Sequence, residues 1–199
     1  MSCTKRCILF LITLMDENLL HLIRELQDYG SGYSKEAAVA ERFIDFITSC
    51  ADCCERSNLS RHLTGSAWLV DGAGERVLLT HHRRLGMWLQ LGGHADGNPD
   101  LFEVATKEAY EESGIALIRP VSEKIFDIDI HRIPESRGVP EHDHYDIRYA
   151  FQVVGDETFR VSDESIDLQW VKISRISDYT EEPTMLRMAE KWLTLNSVN

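Results

Sequence analysis

Three glutamates near the end of one predicted helix are the residues best suited to do chemistry. An apolar stripe begins at Leu101 and Val104, taking about 100° per residue. Glu108, Glu111 and Glu112 continue the same stripe. Like charges at such spacings cost about 0.2–0.5 kcal/mol per pair, and in a last turn carboxylates also oppose the helix dipole. A hard divalent cation would offset both costs, so the pattern favours a metal site over a solvated acidic helix end.

The residues around this helix predict where it begins and ends. Asn98 is suited to cap the helix and Pro99 to occupy its first position. Gly114 is suited to the position just past the end. The sequence therefore predicts a helix over 99–113, and the same helical spacing places Lys107 on the face opposite to the glutamates.

The segment around the glutamates resembles a known motif. It looks like the Nudix box, G-x5-E-x7-R-E-U-x-E-E-x-G-U, in which U is a bulky apolar residue. Two positions depart from the box, because Pro99 stands in place of its first Glu and Lys107 in place of its Arg. A motif of this length is a specific signal. The matching residues are Gly93, Glu108, Ala109, Glu111, Glu112, Gly114 and Ile115.

The resemblance implies both a fold and a reaction. The fold is α/β, with a mixed β-sheet sandwiched between helices over residues from about 62 to 173. The reaction is hydrolysis of the diphosphate bond in a nucleoside diphosphate linked to another moiety, with Mg²⁺ or Mn²⁺ as cofactor. By this resemblance Glu108, Glu111 and Glu112 are metal ligands and catalytic residues. Metal ions suit the reaction because they neutralise an anionic electrophile and lower the pKa of the attacking water.

The histidines are the second group of candidate metal ligands. The chain has 8 of them, and His94 follows a double glycine while His62 opens a predicted strand. On another strand His144 and Asp146 share one face, because side chains alternate along a strand. A single histidine is more often structural than a ligand. Together, these residues could form a nitrogen-rich metal site.

This arrangement is similar to the metal site of isopentenyl diphosphate isomerases, which share the Nudix fold. Those enzymes carry a His before an apolar strand, a Gly-His at the box and two later glutamates. The resemblance implies a second, tighter ion, Zn²⁺ or Mn²⁺, at His62, His94, His144 and Asp146. The isomerase reaction itself is disfavoured, because Gly92 stands where that family has its catalytic cysteine.

Two arginines after the second predicted strand are candidate substrate-binding residues. Arg83 and Arg84 could bind substrate phosphates, since the guanidinium group pairs well with phosphate oxygens. A solvated basic turn explains the same residues equally well.

Composition limits the partners. The chain has 199 residues, 43% apolar and 27% charged, as in an ordinary globular protein. Its 21 basic and 33 acidic residues give a net charge of −12, which disfavours binding to a nucleic acid duplex. We therefore expect a small-molecule nucleotide derivative as the partner, and a homodimer stays open as an assembly state.

The cysteines and the first residues bear on location. Five cysteines without regular spacing favour a reducing compartment, so we expect a cytoplasmic protein. The apolar run from Cys7 to Met15 is shorter than the roughly 20 residues that span a bilayer, so no membrane segment is expected. Either Met15 is the true start or the apolar run packs on the domain.

Hydrophobic periodicity predicts the remaining elements. Helices over 17–29 and from Ser34 to about Cys53 form an N-terminal helical extension, residues 1–58, before a Nudix-like domain at 59–199. The predicted strands are 62–70, 76–80, 124–133, 145–154 and 168–173, and further helices are predicted at 174–179 and 183–195.

Three functions are compatible with these patterns. The first is the metal-dependent hydrolase described above. The second is a nucleotide-binding or sensing module without turnover, which the departures at Pro99 and Lys107 make plausible. The isomerase is the third and the least favoured.

Overall fold

A computed structural model describes residues 16–136, 138–162 and 165–196. The apolar run from Cys7 to Met15, and with it the candidate start at Met15, lies outside the described residues. The elements in chain order are α1 (Glu17–Gly32), α2 (Ala37–Ser49), β1 (Arg61–Val70), β2 (Arg76–His82), β3 (Trp88–Leu89), β4 (Leu91–His94), α3 (Leu101–Ser113), β5 (Ile118–Pro120), β6 (Asp127–Ile133), β7 (His142–Val153), β8 (Ser165–Lys172), a 3₁₀ helix (Ile173–Asp178) and α4 (Pro183–Asn196).

The ends of the first two helices differ from the sequence-based expectation. Helix α1 continues through Gly30 to Gly32, past the predicted end at residue 29. Helix α2 begins at Ala37 with Glu36 as its N-cap, so Ser34 is not the cap. The reason is local: the Glu36 N–H already bonds to the carbonyl of Tyr33 in a turn that occupies these residues.

The chain divides into two compact units. The first contains the described residues of Met1–Thr64 together with His94–Leu101 and Ile128–Asp146. Within it, Phe43 and Phe46 of α2 place their rings 5.1 and 4.4 Å from that of Tyr145, and strands β6 and β7 pair. Amphipathic helices of this kind gain most of their stability from such packing rather than from helix propensity.

The second unit contains Gly65–Gly93, Phe102–Asp127 and the described residues of Ile147–Asn199. Its strands run in the order β3-β2-β1-β7-β5, with β4 paired to β1 and β8 paired to β2. The β2–β8 register is antiparallel, from Arg76 opposite Lys172 to His81 opposite Asp167. A core of large apolar side chains fills this unit, including Trp68, Leu79, Phe126, Met188 and Trp192.

These elements confirm the predicted α/β class with N-terminal helices. Strands β3, β4 and β5 were not predicted, because two to four residues are too few to show a period. Both units combine segments that are distant in sequence, so the boundary between 1–58 and 59–199 stays a prediction. Across the described ranges, the structure contains no helix with the length and apolar character needed to cross a bilayer.

Candidate functional site

Helix α3 carries the three glutamates, and its ends follow from local sequence. Before it, the side-chain carbonyl of Asn98 accepts the backbone N–H of Asp100 at 2.9 Å, and the helix begins at Leu101, two residues later than predicted. After it, Gly114 has φ of +66°, a backbone conformation that favours glycine, and its N–H donates to the Tyr110 carbonyl at 2.9 Å. The helix thus runs over 101–113 instead of 99–113.

Glu112 is the most buried of the three glutamates. Only 5% of the residue is exposed, and its Oε2 accepts the backbone N–H of Gly92 at 2.9 Å. A buried carboxylate needs hydrogen bonds or a cation, because burying an ion without such a partner costs on the order of several kcal/mol. The bond to strand β4 fixes where this carboxylate lies.

Glu108 is half-buried and lies against the next residue of β4. A β-carbon built on Gly93 would collide with the Glu108 carboxylate, coming to 2.5 Å from its Cδ. Glycine at this position therefore leaves room for the carboxylate to approach the strand. Two consecutive glycines of β4 thus receive the two inner glutamates of α3.

Gly92 is also required by its other neighbour. A β-carbon there would come within 2.9 Å of the Ser66 Cα, which is backbone and cannot swing aside. A cysteine at this position, as the isomerase reaction would need, therefore does not fit without movement of the strand.

Glu111 differs from the two inner glutamates. Its side chain is 60% exposed, and its carboxylate lies 3.5 Å from the Lys107 Nζ. The expectation that Lys107 lies on the opposite face was wrong, because four residues at about 100° each bring two side chains within about 40° of each other. Glu111 therefore lies at the solvent edge of the stripe.

A separate histidine cluster lies within the first unit. In the described parts of the chain, ligand atoms of His62, His142 and His144 all lie within 4.8 Å of one another. The two Nε2 atoms of His142 and His144 are 3.2 Å apart. His94 joins the group, with its ring 5.1 Å from those of His62 and His144. The ring of His131 is 5.4 Å from that of His144.

The histidine set differs from the predicted one. Of the four predicted ligands, His62 and His144 are in the group that could share an ion. The ring of His94 lies beside that group, and the side chain of Asp146 accepts a hydrogen bond from the Thr64 hydroxyl at 2.8 Å. His142 lies in the same alternating stretch as His144 and Asp146, but it was left out of the predicted ligands although its spacing to His144 on β7 places both on one face. His131 gave no local signal, since it comes from β6.

Burial decides the charge of these histidines. Desolvation lowers the pKa of His62, lowers that of His94 to about 4, and lowers that of His144 further, with neighbouring histidines adding to the effect at His144. These three rings are therefore neutral at pH 7, which is the state that binds metals.

The two candidate substrate arginines have different surroundings. Arg83 donates from its Nη2 to the Ser165 carbonyl at 2.6 Å. The side chain of Arg84 is exposed, and its backbone N–H donates to the Nδ1 of His82 at 3.2 Å. Their role in substrate binding stays a prediction.

Comparisons with known proteins agree with this fold. The family model described as NUDIX domain matches residues 60–192. A MutT protein from Methanosarcina mazei Go1 is 23% identical with a TM-score of 0.54, covering 69% of this chain and 96% of its own. An Ap4A hydrolase from C. elegans is 14% identical with a TM-score of 0.51, covering 69% of this chain and 98% of its own. At these identities the structural likeness shows the fold alone, and no curated protein is a sequence match.

Proposed function

This chain belongs to the NUDIX domain family, and we propose that it is a metal-dependent hydrolase of the diphosphate bond in a nucleoside diphosphate linked to another moiety. One observation carries the proposal. Glu112 and Glu108, the inner glutamates of α3, approach the consecutive glycines Gly92 and Gly93 of β4. Carboxylates held in this way are oriented before any ligand arrives, which is what a catalytic cation site needs.

The chemistry of the donors fits a hard cation. Glu108, Glu111 and Glu112 offer only oxygen ligands, which Mg²⁺ and Mn²⁺ prefer. When bound, such an ion neutralises phosphate charge and lowers the pKa of the attacking water. The Glu112 carboxylate is oriented by the hydrogen bond from the Gly92 N–H. The side chain of Glu111 is exposed at the solvent edge and is free to change its rotamer. We assign the activation of water to one of these three carboxylates.

The two departures from the box have a structural account. Lys107 keeps a positive charge 3.5 Å from Glu111, although it lacks the planar fork with which Arg would hold a carboxylate. Pro99 precedes the first residue of α3, so the missing carboxylate would have stood before the helix rather than among its inner residues. The three central glutamates are present despite both changes.

A substrate panel tests the proposal. Phosphatase-coupled release would be measured with nucleoside diphosphate derivatives, including a dinucleoside polyphosphate and a nucleoside triphosphate, in Mg²⁺ and in Mn²⁺. We expect turnover by the wild type that requires the cation. Tight nucleotide binding without turnover on the whole panel would contradict hydrolysis and identify a nucleotide-sensing module instead.

The setting of the enzyme is also a proposal. Cys50, Cys53 and Cys54 are free thiols, which supports a reducing compartment such as the cytoplasm. The net charge of −12 supports a small nucleotide derivative as the partner and argues against a nucleic acid duplex. The homodimer stays an open prediction.

A further inference from the structure

The histidine cluster, defined as His62, His94, His131, His142 and His144, has a hydrogen-bonding pattern that fixes its protons. The Nδ1 of His142 lies 2.8 Å from the Pro140 carbonyl oxygen, and the Nδ1 of His62 lies 3.1 Å from the Asn58 carbonyl oxygen. A carbonyl oxygen can only accept, so in both rings Nδ1 carries the proton. In a neutral imidazole, the opposite nitrogen, Nε2, then presents a bare lone pair.

A third ring follows the same rule. The Nδ1 of His131 lies 3.1 Å from the Oδ2 of Asp129, and a carboxylate likewise accepts the proton. A histidine that donates one ring N–H to a carbonyl or a carboxylate while the other nitrogen faces inward is the usual arrangement of a metal ligand and its support. His62 and His142 have supports of this kind within the group that could share an ion, and His131 makes a similar bond beside it.

One of the inward nitrogens, the Nε2 of His62, lacks a donor in the portion of the chain that the structure describes. His62 is 3% exposed, and its Nε2 is buried with no hydrogen-bond partner among the described residues. The Nε2 atoms of His142 and His144 are 3.2 Å apart, close to the roughly 3.3 Å that separates two nitrogens bound to one tetrahedral Zn²⁺ at about 2.0–2.1 Å. A buried lone pair without a donor is costly, and a cation would satisfy it.

We propose that His62, His142 and His144, with His94 as the fourth ligand, bind one Zn²⁺ ion whose role is to hold the first unit together rather than to hydrolyse substrate. An all-nitrogen set of imidazoles suits Zn²⁺ and disfavours Mg²⁺, which prefers oxygen. His131 lies beside this set and supports it. Asp146 is not a ligand.

The structural role follows from where the ligands lie in the chain. His62 is in β1, His94 ends β4, and His142 and His144 begin β7. These three segments of the first unit are far apart in sequence. One ion would therefore cross-link parts of the unit that are separated by long stretches of chain. Metal binding to such a set is also free energy of folding.

The test uses the full chain, purified without added metal. We expect about one Zn²⁺ per chain by elemental analysis. Removal with a strong chelator should lower the Tm by about 5–10 °C, and free Zn²⁺ at about 100 times its Kd should restore it where Mg²⁺ does not. Zinc far below stoichiometry together with a Tm unchanged by added Zn²⁺ would overturn the proposal, as would Mn²⁺ at stoichiometry in its place.

Variants separate this site from the glutamates. His142→Gln should lose the zinc, whereas His21→Gln, whose side chain is 70% exposed on α1, should keep it. Glu112→Gln should keep both the zinc and the Tm response while it loses hydrolysis. If Glu112→Gln lost the zinc, the ion would belong to the glutamates and the histidine site would be wrong. If His142→Gln does not fold, the change in the wild-type Tm on removing and restoring Zn²⁺ still tests the proposal.

Discussion

The glutamates of α3 and the histidine cluster are both candidate cation sites, but they are built in opposite ways. The glutamates come from one continuous helix and grade from the buried Glu112 to Glu111, which is 60% exposed. The histidines come from separate strands, and two of them, His62 and His142, are buried. The first arrangement suits an ion that meets a substrate, because its edge stays open to solvent. The second suits an ion that stays in place.

A third charged cluster shows a buried carboxylate whose charge is balanced by side chains of the protein. Asp127 of the second unit is fully buried, yet Arg148, Arg187 and Lys191 donate to it at 3.1, 2.7 and 2.6 Å. This carboxylate receives its positive charges from the chain itself. On α3 the three glutamates have Lys107 as a neighbouring cation, and that lysine pairs with the outermost of them.

The largest expected effect is the loss of catalysis when an inner glutamate is neutralised. Glu112→Gln keeps the size of the side chain but removes its charge, so hydrolysis should fall by about 10²–10⁴-fold. Steady-state kinetics across a Mg²⁺ titration measures the loss. The matched control is Glu103→Gln, an exposed glutamate in the first turn of the same helix, which should keep wild-type turnover. Equal losses in both variants would contradict a specific role for the inner carboxylate.

The next largest effect is on stability in the second unit. Asp127→Asn removes the charge that three cations share and leaves Arg148, which is 3% exposed in its side chain, without its carboxylate. Loss of one partner from a buried ion pair costs about 3–5 kcal/mol. Urea unfolding should show this loss with and without chelator alike, because no external ion is involved.

A surface pair provides the control for that experiment. Asp178 and Arg175 are 46% and 71% exposed, so Asp178→Asn should cost no more than about 1 kcal/mol. A chelator-dependent loss in Asp127→Asn would show that this cluster also holds an ion, and the contrast with the glutamates would then disappear.

The same contrast explains what the sequence could predict. The glutamates share a helix, so a 3.6-residue period is enough to place them on one stripe, and only the position of Lys107 was wrong. The histidine cluster depends on which strands pair, and pairing of distant segments leaves no local pattern. His142 was within reach through its spacing to His144, whereas His131 was not. The burial of Glu112 and its bond to Gly92 also come from tertiary packing, which a period does not encode.

The fold divides along the same line. Long strands with a clear period, β1 and β2, were predicted within two residues of their ends. Strand β4 was missed, although it supplies both glycines that receive the inner glutamates. Its four residues include two glycines, which have no side chain from which to read alternation. The site was therefore predicted from the helix alone, without the strand that completes it.

A smaller effect is expected from a substitution in β4, the strand that the sequence did not predict. Gly93→Ala adds a β-carbon that would collide with the Glu108 carboxylate. Because the end of a glutamate side chain can swing aside, we expect folding to survive while the carboxylate moves and hydrolysis falls by about 10–100-fold. Gly32→Ala is the control, since a β-carbon there meets nothing within 4 Å. Wild-type kinetics in Gly93→Ala would show that the position of Glu108 does not matter for catalysis.

The smallest effect concerns the outermost glutamate. Lys107 and Glu111 are 62% and 60% exposed and lie 3.5 Å apart, so their attraction is largely screened by water. Lys107→Arg restores the planar fork of the box, but at an exposed pair it should change stability by no more than about 0.5 kcal/mol and turnover by about two- to fivefold. Chemical denaturation and steady-state kinetics on the same preparation measure both. A gain well beyond tenfold would mean that the solvent-edge glutamate, rather than the inner pair of α3 that lies against β4, limits the reaction. The burial of the three carboxylates would then no longer indicate how much each contributes to turnover.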